Sequence, residues 1–506
     1  MDPKLIAAAR ASFPAELGSI VLGAPIAGRE AHPEPLVRVP LAMLNRHGLV
    51  AGATGTGKTK TLQVIAEQLS HAGVPVFLAD LKGDLSGIAA AGEASERVIT
   101  RARETGFDWH AQSCPVELLS LTGKHGAQVR ATVSSFGPLL LAKVLDLNPT
   151  QASVLALVFK YCDDRGLELL DFADLRSVLQ HLTGAGAGEL AGLGGMSKAT
   201  VGVLLREMVE LEQQGALTFF GEPELELQDL LRVTPDGRGV VSVLELQDVQ
   251  DKPALFSTFM MWLLARLFAE LPELGDPPKP KLVFFFDEAH LLFRDAAPAF
   301  LDQVGQVVRL IRSKGVGIFF VTQNPKDVPG EILGQLGTRV QHALRAFTPD
   351  DDKALRAAAR TFPKTEFYDV EETLTTLGIG EALISALAPN GAPTQPFATR
   401  LIPPASRMGL LTESELRALF ATPQVQKYKS AVDRESAHEK LMKKTRPPEG
   451  ESPSESGSAG PPQPARDDGV SISEILNSPL ARTVANAFTR GVLGALLGSP
   501  RRRRRY

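Results

Sequence analysis

Eight consecutive residues of the sequence have the composition of a phosphate-binding loop. They fit the pattern G-x-x-x-x-G-K-[ST], in which glycines let backbone N–H groups turn toward an anion. The lysine can reach phosphate oxygens, and the final hydroxyl can ligate Mg²⁺. A strand-like run at residues 47–51 precedes the pattern and a helix-like run from residue 59 follows it, which is the context that such a loop requires. The predicted phosphate-binding residues are Gly52, Ala53, Thr54, Gly55, Thr56, Gly57, Lys58 and Thr59.

Two adjacent carboxylates follow a second apolar run, at residues 282–286. The carboxyl ends of parallel strands are where open α/β sheets bind ligands. We therefore expect Asp287 to hold Mg²⁺ together with Thr59, and Glu288 to polarise an attacking water molecule. The plainer interpretation, a buried strand that ends at an acidic turn, is less favoured beside a phosphate loop. His290 follows two residues later. A single histidine at the end of a strand more often has a packing or hydrogen-bonding role than a catalytic one.

Other polar residues follow further predicted strands. Gln323 comes after an apolar run at residues 317–322, and we expect its amide to sense the γ-phosphate. Asp80, Lys82 and Asp84 follow an earlier run, and they either line the site or cap the next turn.

The order of these runs predicts an α/β fold with a mostly parallel sheet. Strand, loop, helix and strand occupy residues 47–80, and further strand patterns occur at 239–246, 281–287, 315–322 and 340–347. This gives at least five strands. We expect an N-terminal segment at 1–45, a nucleotide-binding core at 46–103 and 237–430, and a largely helical insertion at 104–236.

The C-terminal part of the sequence differs from the rest. Residues 446–469 consist mainly of Pro, Ser, Gly and Glu, so a disordered linker is predicted. Residues 470–506 then give an amphipathic basic segment, with apolar residues on one helical face and seven arginines after residue 474. This tail can lie on anionic lipid, hold DNA phosphates, dock on an acidic partner protein or pack back on its own chain.

Composition restricts the class of protein. The formal net charge is −4, which argues against a broadly basic coat for nucleic acid. Two cysteines without metal or redox spacing, and the absence of a signal sequence or a long apolar run, predict a cytoplasmic protein.

Several linked motifs resemble those of bacterial HerA-like ATPases of the YjgR type. The similarity lies in residues 40–59, 80–87, 136–141 and 286–290, and it extends over roughly residues 18–430. The resemblance implies a RecA-like core, ATP and Mg²⁺ as ligands, and a homo-hexameric ring around DNA.

By the same resemblance, Lys58 and Thr59 form the Walker A pair, Asp287 is the Walker B acid, Glu288 is the catalytic base and Gln323 is the sensor. An arginine that acts on a neighbouring subunit is also implied, with Arg339 as the first candidate and Arg345 as the second.

Three functions remain open at this point. The first is a ring motor that hydrolyses ATP and translocates on or unwinds DNA. The alternative is an ATPase docked on a membrane surface or a partner through residues 470–506, which remodels protein rather than DNA. The third is a scaffold without turnover. A two-domain DEAH helicase is rejected, because residues 350–440 are too short and too helical in pattern for a second such domain.

Overall fold

A computed structural model describes residues 3–14, 18–293 and 298–445. The predicted linker at 446–469 and the predicted tail at 470–506 lie outside the described residues. Among the described residues, tertiary contacts separate a sheet unit, which extends to residue 129 and includes residues 225–430, from a helical unit, which comprises residues 130–224 and those from 431 to 445. No helix in the described part is long and apolar enough to cross a membrane.

Strands and helices alternate along most of the chain. The strands are β1 Ser19–Ala27, β2 Glu30–Ala31, β3 Val37–Pro40, β4 Gly48–Ala51, β5 Val76–Asp80, β6 Val116–Ser120, β7 Ala127–Gln128, β8 Val241–Glu245, β9 Leu282–Phe286, β10 Val316–Thr322, β11 Thr338–His342, β12 Glu381–Ser385 and β13 Phe397–Leu401. The α-helices are α1 Pro3–Ser12, α2 Lys58–His71, α3 Glu96–Thr105, α4 Val133–Val144, α5 Pro149–Arg165, α6 Phe172–Thr183, α7 Lys198–Gln213, α8 Ala216–Phe219, α9 Leu227–Leu230, α10 Pro253–Glu270, α11 Ala289–Phe293, α12 Pro298–Leu310, α13 Gly330–Leu333, α14 Pro349–Ala359, α15 Val370–Thr376, α16 Glu413–Phe420, α17 Pro423–Lys429 and α18 Ala437–Thr445.

All strands of the described residues join one mixed sheet. Its order is β2-β1-β13-β12-β11-β4-β10-β9-β5-β8-β6-β7, with β3 paired to β1. The run from β11 to β7 is parallel, and β12, β13, β1, β2 and β3 pair antiparallel. This order confirms the predicted mostly parallel RecA-like core, with the strand of the phosphate loop, β4, in its interior.

The central parallel strands β4, β5, β9 and β10 are buried on both faces, which is why they are mostly apolar in sequence. On one face, α2 contributes Leu62, Ile65 and Leu69 to a cluster that also contains Val50 and Phe285. On the other face, Phe77 of β5 lies 6.4 Å from Phe259 of α10, measured between ring centroids. The sheet is thus a rigid platform that fixes where its strand ends lie.

The predicted insertion at 104–236 is wrong at both boundaries. At its C-terminal end, residues 225–236 belong to the sheet unit. At its N-terminal end, strand β6 pairs in parallel with β8, so residues 104–129 also belong to the sheet unit. The sequence pattern hid β6 because Glu117 interrupts its apolar run. That carboxylate is neutralised by Arg232, with 3.0 Å between Nη2 and Oε1.

Three further parts of the prediction differ from the structure. The N-terminal segment at 1–45 is not separate, because β1 pairs with β13 and extends the sheet. Residues 350–440, predicted to be helical, also contribute the antiparallel strands β12 and β13. The predicted strand at 340–347 begins and ends earlier, as β11.

The helical unit contains α4 to α8 and α18. Its core includes stacked rings of Phe172 and Phe220, whose centroids are 4.5 Å apart. Helix α4 is interrupted at Gly137, where φ is 67° and Pro138 follows. This unit accounts for the helical patterns that the sequence placed between the two halves of the core.

Candidate nucleotide-binding site

The predicted site residues meet at the carboxyl edge of the sheet. Strand β10 pairs with β4 on one side and with β9 on the other, so the ends of these three strands are neighbours. The phosphate loop leaves β4 and is anchored to both flanking strands. The N–H of Gly52 donates to the carbonyl of Thr322 at 3.2 Å, and that of Ala53 donates to the carbonyl of Ala343 at 2.9 Å.

The loop has the backbone geometry of an anion cradle. Gly52 has a φ of 156°, and a Cβ atom there would lie 2.4 Å from the Cβ of His342. Glycine is therefore required at this position both by conformation and by space. Thr54 and Gly55, at the tip of the loop, are exposed, and α2 begins at Lys58, so a helix N-terminus lies directly behind the tip.

Lys58 folds over the loop that precedes it. Its Nζ donates to the carbonyl of Ala53 at 3.2 Å, and the residue is only 8% exposed. Burial lowers the pKa of Lys58, although the carboxylates of Glu288 and Asp287 act in the opposite direction. An anion at the loop would oppose this effect of burial and favour the charged ammonium. Thr59 follows as a half-buried hydroxyl in the first turn of α2.

Asp287 and Glu288 follow β9 and are both buried. The Oδ1 atom of Asp287 accepts a hydrogen bond from the N–H of Glu288 at 2.9 Å, whereas its Oδ2 atom has no hydrogen-bond partner among the described residues. Burial and the nearby charge of Glu288 raise the pKa of Asp287 to about 7. A buried carboxylate oxygen without a partner is suited to a divalent cation, so Asp287 and the Thr59 hydroxyl fit a Mg²⁺ site.

Glu288 has an unusual backbone and a basic environment. Its φ is 50°, in the left-handed region that residues with a Cβ atom adopt infrequently. Its Oε1 forms an ion pair with Nζ of Lys82, and Nδ1 of His290 lies 3.2 Å from its Oε2. Burial alone would raise the pKa of Glu288, but the ammonium of Lys82, together with His290 and the ammonium of Lys58, outweighs burial and lowers it. The carboxylate is therefore held in its charged form.

Gln323 lines a cleft next to the phosphate loop. The cleft has a volume of about 850 Å³, and Gln323 is exposed in it. Ala53 and Thr54 of the phosphate loop line the same cleft, as do His290 and Arg345. The predicted sensor amide and the second arginine candidate thus share a cleft with the first residues of the phosphate loop.

Arg339 lies elsewhere. It pairs with Leu49 in the register of β11 and β4, near the amino ends of those strands and away from the edge that carries the phosphate loop. Its guanidinium donates to the carbonyls of Thr361, at 3.0 Å, and Leu333, at 3.4 Å. Arg339 is thus not part of the site of its own chain, and its role toward a neighbouring subunit stays a prediction.

Two residues of the site had no clear signal in the sequence. His342, at the end of β11, is fully buried between the loop and α2, and burial lowers its pKa to about 4. Lys82 was one of three polar residues whose function the pattern left open, and it contacts Glu288 across 206 residues of sequence. Only the pairing of β5 with β9 brings Lys82 and Glu288 together.

A phosphate loop followed by a buried Asp–Glu pair, on adjacent strand ends of a mostly parallel sheet, defines a P-loop ATPase with a RecA-like core. The chain belongs to the helicase HerA-like C-terminal family, whose model matches residues 28–505.

Two archaeal proteins of Methanocaldococcus jannaschii are similar to parts of the chain. "Probable helicase MJECL08" is 30% identical over 156 residues, which cover 28% of this chain and 28% of that protein. "Probable DNA double-strand break repair helicase HerA" is 32% identical over 114 residues, which cover 22% of this chain and 21% of that protein. The matched stretches therefore span less than a third of either relative.

Solved structures of low sequence identity are also similar. The bacterial conjugative coupling protein TrwBdeltaN70 has a TM-score of 0.48 at 15% identity, covering 80% of this chain and 94% of its own. VirB4 of Thermoanaerobacter pseudethanolicus has a TM-score of 0.47 at 17% identity. The alignment covers 77% of this chain and 98% of the VirB4 chain. A structure of TrwB in complex with ADP and Mg²⁺ has a TM-score of 0.47 at 16% identity. The alignment covers 78% of this chain and 98% of the TrwB chain.

Proposed function

We propose that this HerA-like ATPase is a homo-hexameric ring motor that couples ATP hydrolysis to translocation on DNA or to its unwinding. The observation that supports hydrolysis is the convergence of three groups at one sheet edge. Lys58 lies behind the loop tip, Asp287 presents an oxygen without a partner among the described residues, and Glu288 is held as a charged carboxylate. Phosphoryl transfer to water needs these three elements, for anchoring the phosphates, for holding the cation and for orienting the water.

The chain's own residues divide this work. The N–H groups at the tip of the loop and at the start of α2, together with the ammonium of Lys58, bind the phosphates, and Thr59 and Asp287 hold Mg²⁺. Bound Mg²⁺ supplies positive charge that neutralises the phosphate oxygens. The Oε2 atom of Glu288, which has no hydrogen-bond partner among the described residues, accepts a proton of the attacking water and orients its oxygen.

Gln323 and an arginine complete the site. From its exposed position in the cleft, the Gln323 amide contacts the γ-phosphate and responds to its loss. Arg339 lies near the amino ends of β11 and β4, so it does not reach the phosphate loop of its own chain. In the proposed ring it stabilises the transition-state charge in the site of the adjacent subunit.

DNA is proposed as the substrate of the motor because of the family and its named relatives. The family is one of HerA-like helicases, and one relative is named as a probable DNA double-strand break repair helicase. The acidic net charge of −4 is compatible with this proposal, because binding of DNA phosphates requires only a locally basic surface.

Steady-state ATPase assays, with and without duplex and single-stranded DNA over a range of salt concentrations, test the proposal. We expect DNA to stimulate hydrolysis at low salt, and an unchanged rate under all conditions would contradict a DNA motor. Glu288→Gln should reduce turnover to a small residual rate and retain nucleotide binding. Glu413→Gln, at an exposed ion pair on α16, is the matched control and should behave like the wild-type protein.

Assembly and the role of the C-terminal residues need separate measurements. Electron-microscope classes collected with ATP and DNA should show six-fold rings with density in the pore. A variant lacking residues 470–506 should be compared with the full chain in DNA and liposome pelleting assays. Loss of liposome binding alone would favour the alternative, an ATPase docked on a membrane, and retention of both interactions would mean that these residues bind neither.

A further inference from the structure

Lys82 lies on the loop between β5 and a short 3-10 helix at Ser86–Ala89, and it makes an ion pair with Glu288 that the reaction described above does not use. Its Nζ contacts Oε1 of Glu288. The Lys82 side chain is 49% exposed, whereas that of Glu288 is only 6% exposed. A surface cation therefore reaches inward to a buried carboxylate.

The backbone that carries Lys82 is fixed by Asp80, the last residue of β5. Asp80 is fully buried, and its Oδ1 accepts hydrogen bonds from the N–H groups of Lys82, at 3.1 Å, and Gly83, at 2.7 Å. Its Oδ2 accepts from the N–H of Leu85 at 2.9 Å. These three bonds hold the loop in one conformation relative to the sheet.

The sheet itself places this loop beside Glu288. Ala79 of β5 is in register with Phe286 of β9, and the N–H of Asp287 donates to the carbonyl of Ala79 at 3.3 Å. The loop after β5 and the acidic pair after β9 thus start from directly adjacent points. Lys82 has a stable geometric relation to Glu288 although the two residues are far apart in sequence.

The two oxygens of the Glu288 carboxylate have different environments. Oε1 accepts from Lys82, whereas Oε2 has no hydrogen-bond partner in the described part of the chain. His290 is near Oε2, with its Nδ1 at 3.2 Å, but the two atoms do not form a hydrogen bond. One oxygen is therefore engaged by an ammonium, and the other has no hydrogen bond to any described residue.

We propose that Lys82 is a positioning residue for hydrolysis, which holds Oε1 of Glu288 so that Oε2 is directed at the attacking water. This inference rests on the proposed ATPase function and adds a residue to its site. A glutamate side chain has three rotatable torsions, and small errors in the position of a base reduce the rate strongly. Without Lys82, the buried carboxylate would also lose its nearest counter-charge and turn toward another partner.

The test measures kcat and KM for ATP in the full-length protein with the substitutions Lys82→Met, Lys82→Arg and Glu288→Gln, and with Lys82→Met combined with Glu288→Gln. We expect Lys82→Met to lower kcat about 10- to 100-fold and to change KM less than about threefold. Lys82→Arg retains the charge and should recover most of kcat. In the Glu288→Gln background, Lys82→Met should lower the residual rate less than about twofold, because the lysine acts through the glutamate.

A matched control separates this effect from the loss of any ion pair. Lys443→Met removes a lysine that pairs with Glu435 on the helical unit, with 2.6 Å between Nζ and Oε1, and it should leave both constants unchanged. Binding of a fluorescent ATP analogue confirms that each variant is folded. An unchanged kcat in Lys82→Met, a raised KM as the main effect, or additive losses in the double variant would overturn the role of Lys82 and leave the ATPase proposal intact. A wild-type protein without turnover would instead overturn the ATPase proposal, and this inference with it.

Discussion

The Nε2 atom of His342 lies 2.8 Å from the Oγ1 atom of Thr61, which joins the end of β11 to the first turn of α2. Both residues are buried, and the backbone of Gly52 packs against the same histidine. The phosphate loop is thus supported by a polar contact between two residues that are 281 positions apart in sequence. Such a contact keeps the helix N-terminus in place for an incoming anion.

Removal of the Thr61 hydroxyl should destabilise the protein. Thr61→Val preserves the shape of the side chain but leaves Nε2 of His342 buried without a partner, which costs about 1–3 kcal/mol. Urea unfolding measures this loss. Thr376→Val is the matched control, because that exposed hydroxyl bonds only within its own helix, and its effect should stay within about 0.5 kcal/mol. Equal losses in the two variants would contradict a stabilising role for the His342 contact.

Substitution of Gly52 should abolish nucleotide binding. In Gly52→Ala the new Cβ would approach the Cβ of His342 to 2.4 Å, at a φ of 156°, so the loop must move away from β11. We expect affinity for a fluorescent ATP analogue to fall at least about 100-fold, since the N–H cradle depends on this loop conformation. Gly28→Ala is the control: its φ is 67°, but no atom lies within 4 Å of the added Cβ. Binding that survives Gly52→Ala would show that the loop tolerates displacement.

Glu67 should make the stability of the protein depend on pH. It is buried on α2, its Oε1 accepts from the N–H of Ala405, and its Oε2 accepts from the N–H and hydroxyl of Ser406. Burial raises the pKa of Glu67 from its ordinary value of 4.5 to about 7. Between these values the folded protein keeps a proton that the unfolded chain has released. The stabilisation that this group provides is therefore full below pH 4.5 and is lost as the pH rises toward 7.

The variant Glu67→Gln lacks this proton linkage. We compare the free energy of unfolding of the wild-type protein with that of Glu67→Gln at two pH values. The advantage of the wild-type protein should be about 2 kcal/mol larger at about pH 5 than at about pH 7.5. Urea titrations of both proteins at the two pH values measure the difference. A difference that is the same at both pH values would contradict the raised pKa.

The two arginine candidates should behave differently in mixed assemblies. Each of Arg339→Ala and Arg345→Ala is mixed with Lys58→Ala, which cannot hydrolyse ATP but supplies intact arginines. Arg339→Ala should lose about 1,000-fold in kcat alone and regain activity in the mixture, because the arginine acts on a neighbouring site. Arg345→Ala should not be rescued, since Arg345 lines the cleft at its own phosphate loop. Absence of recovery for Arg339→Ala would contradict its role in trans.

The core strands and the phosphate loop were predictable because their signals are contiguous. Strands β4, β5, β8, β9 and β10 are buried on both faces, so each is a short and mainly apolar run, although β8 contains Ser242 and ends in Glu245. Strand β1 lacks such a signal because it contains Gly23 and Pro25. Gly23 is needed where the backbone carbonyl of Arg400 approaches, at 2.0 Å from the position that a Cβ atom would take. In the sequence, a glycine that permits strand pairing cannot be distinguished from a glycine that marks a turn.

The phosphate loop and the two acids that follow β9 are the parts of the predicted site that sequence alone identifies. A cradle of consecutive N–H groups requires consecutive residues, and an acid at a strand end directly follows its apolar run, so both leave a local pattern. Only the tertiary structure decided that Lys82 holds Glu288, that His342 supports α2, and that Arg339 lies away from its own site. These relations depend on the order and register of strands that are hundreds of residues apart, because side chains meet across a sheet edge according to which strands are neighbours.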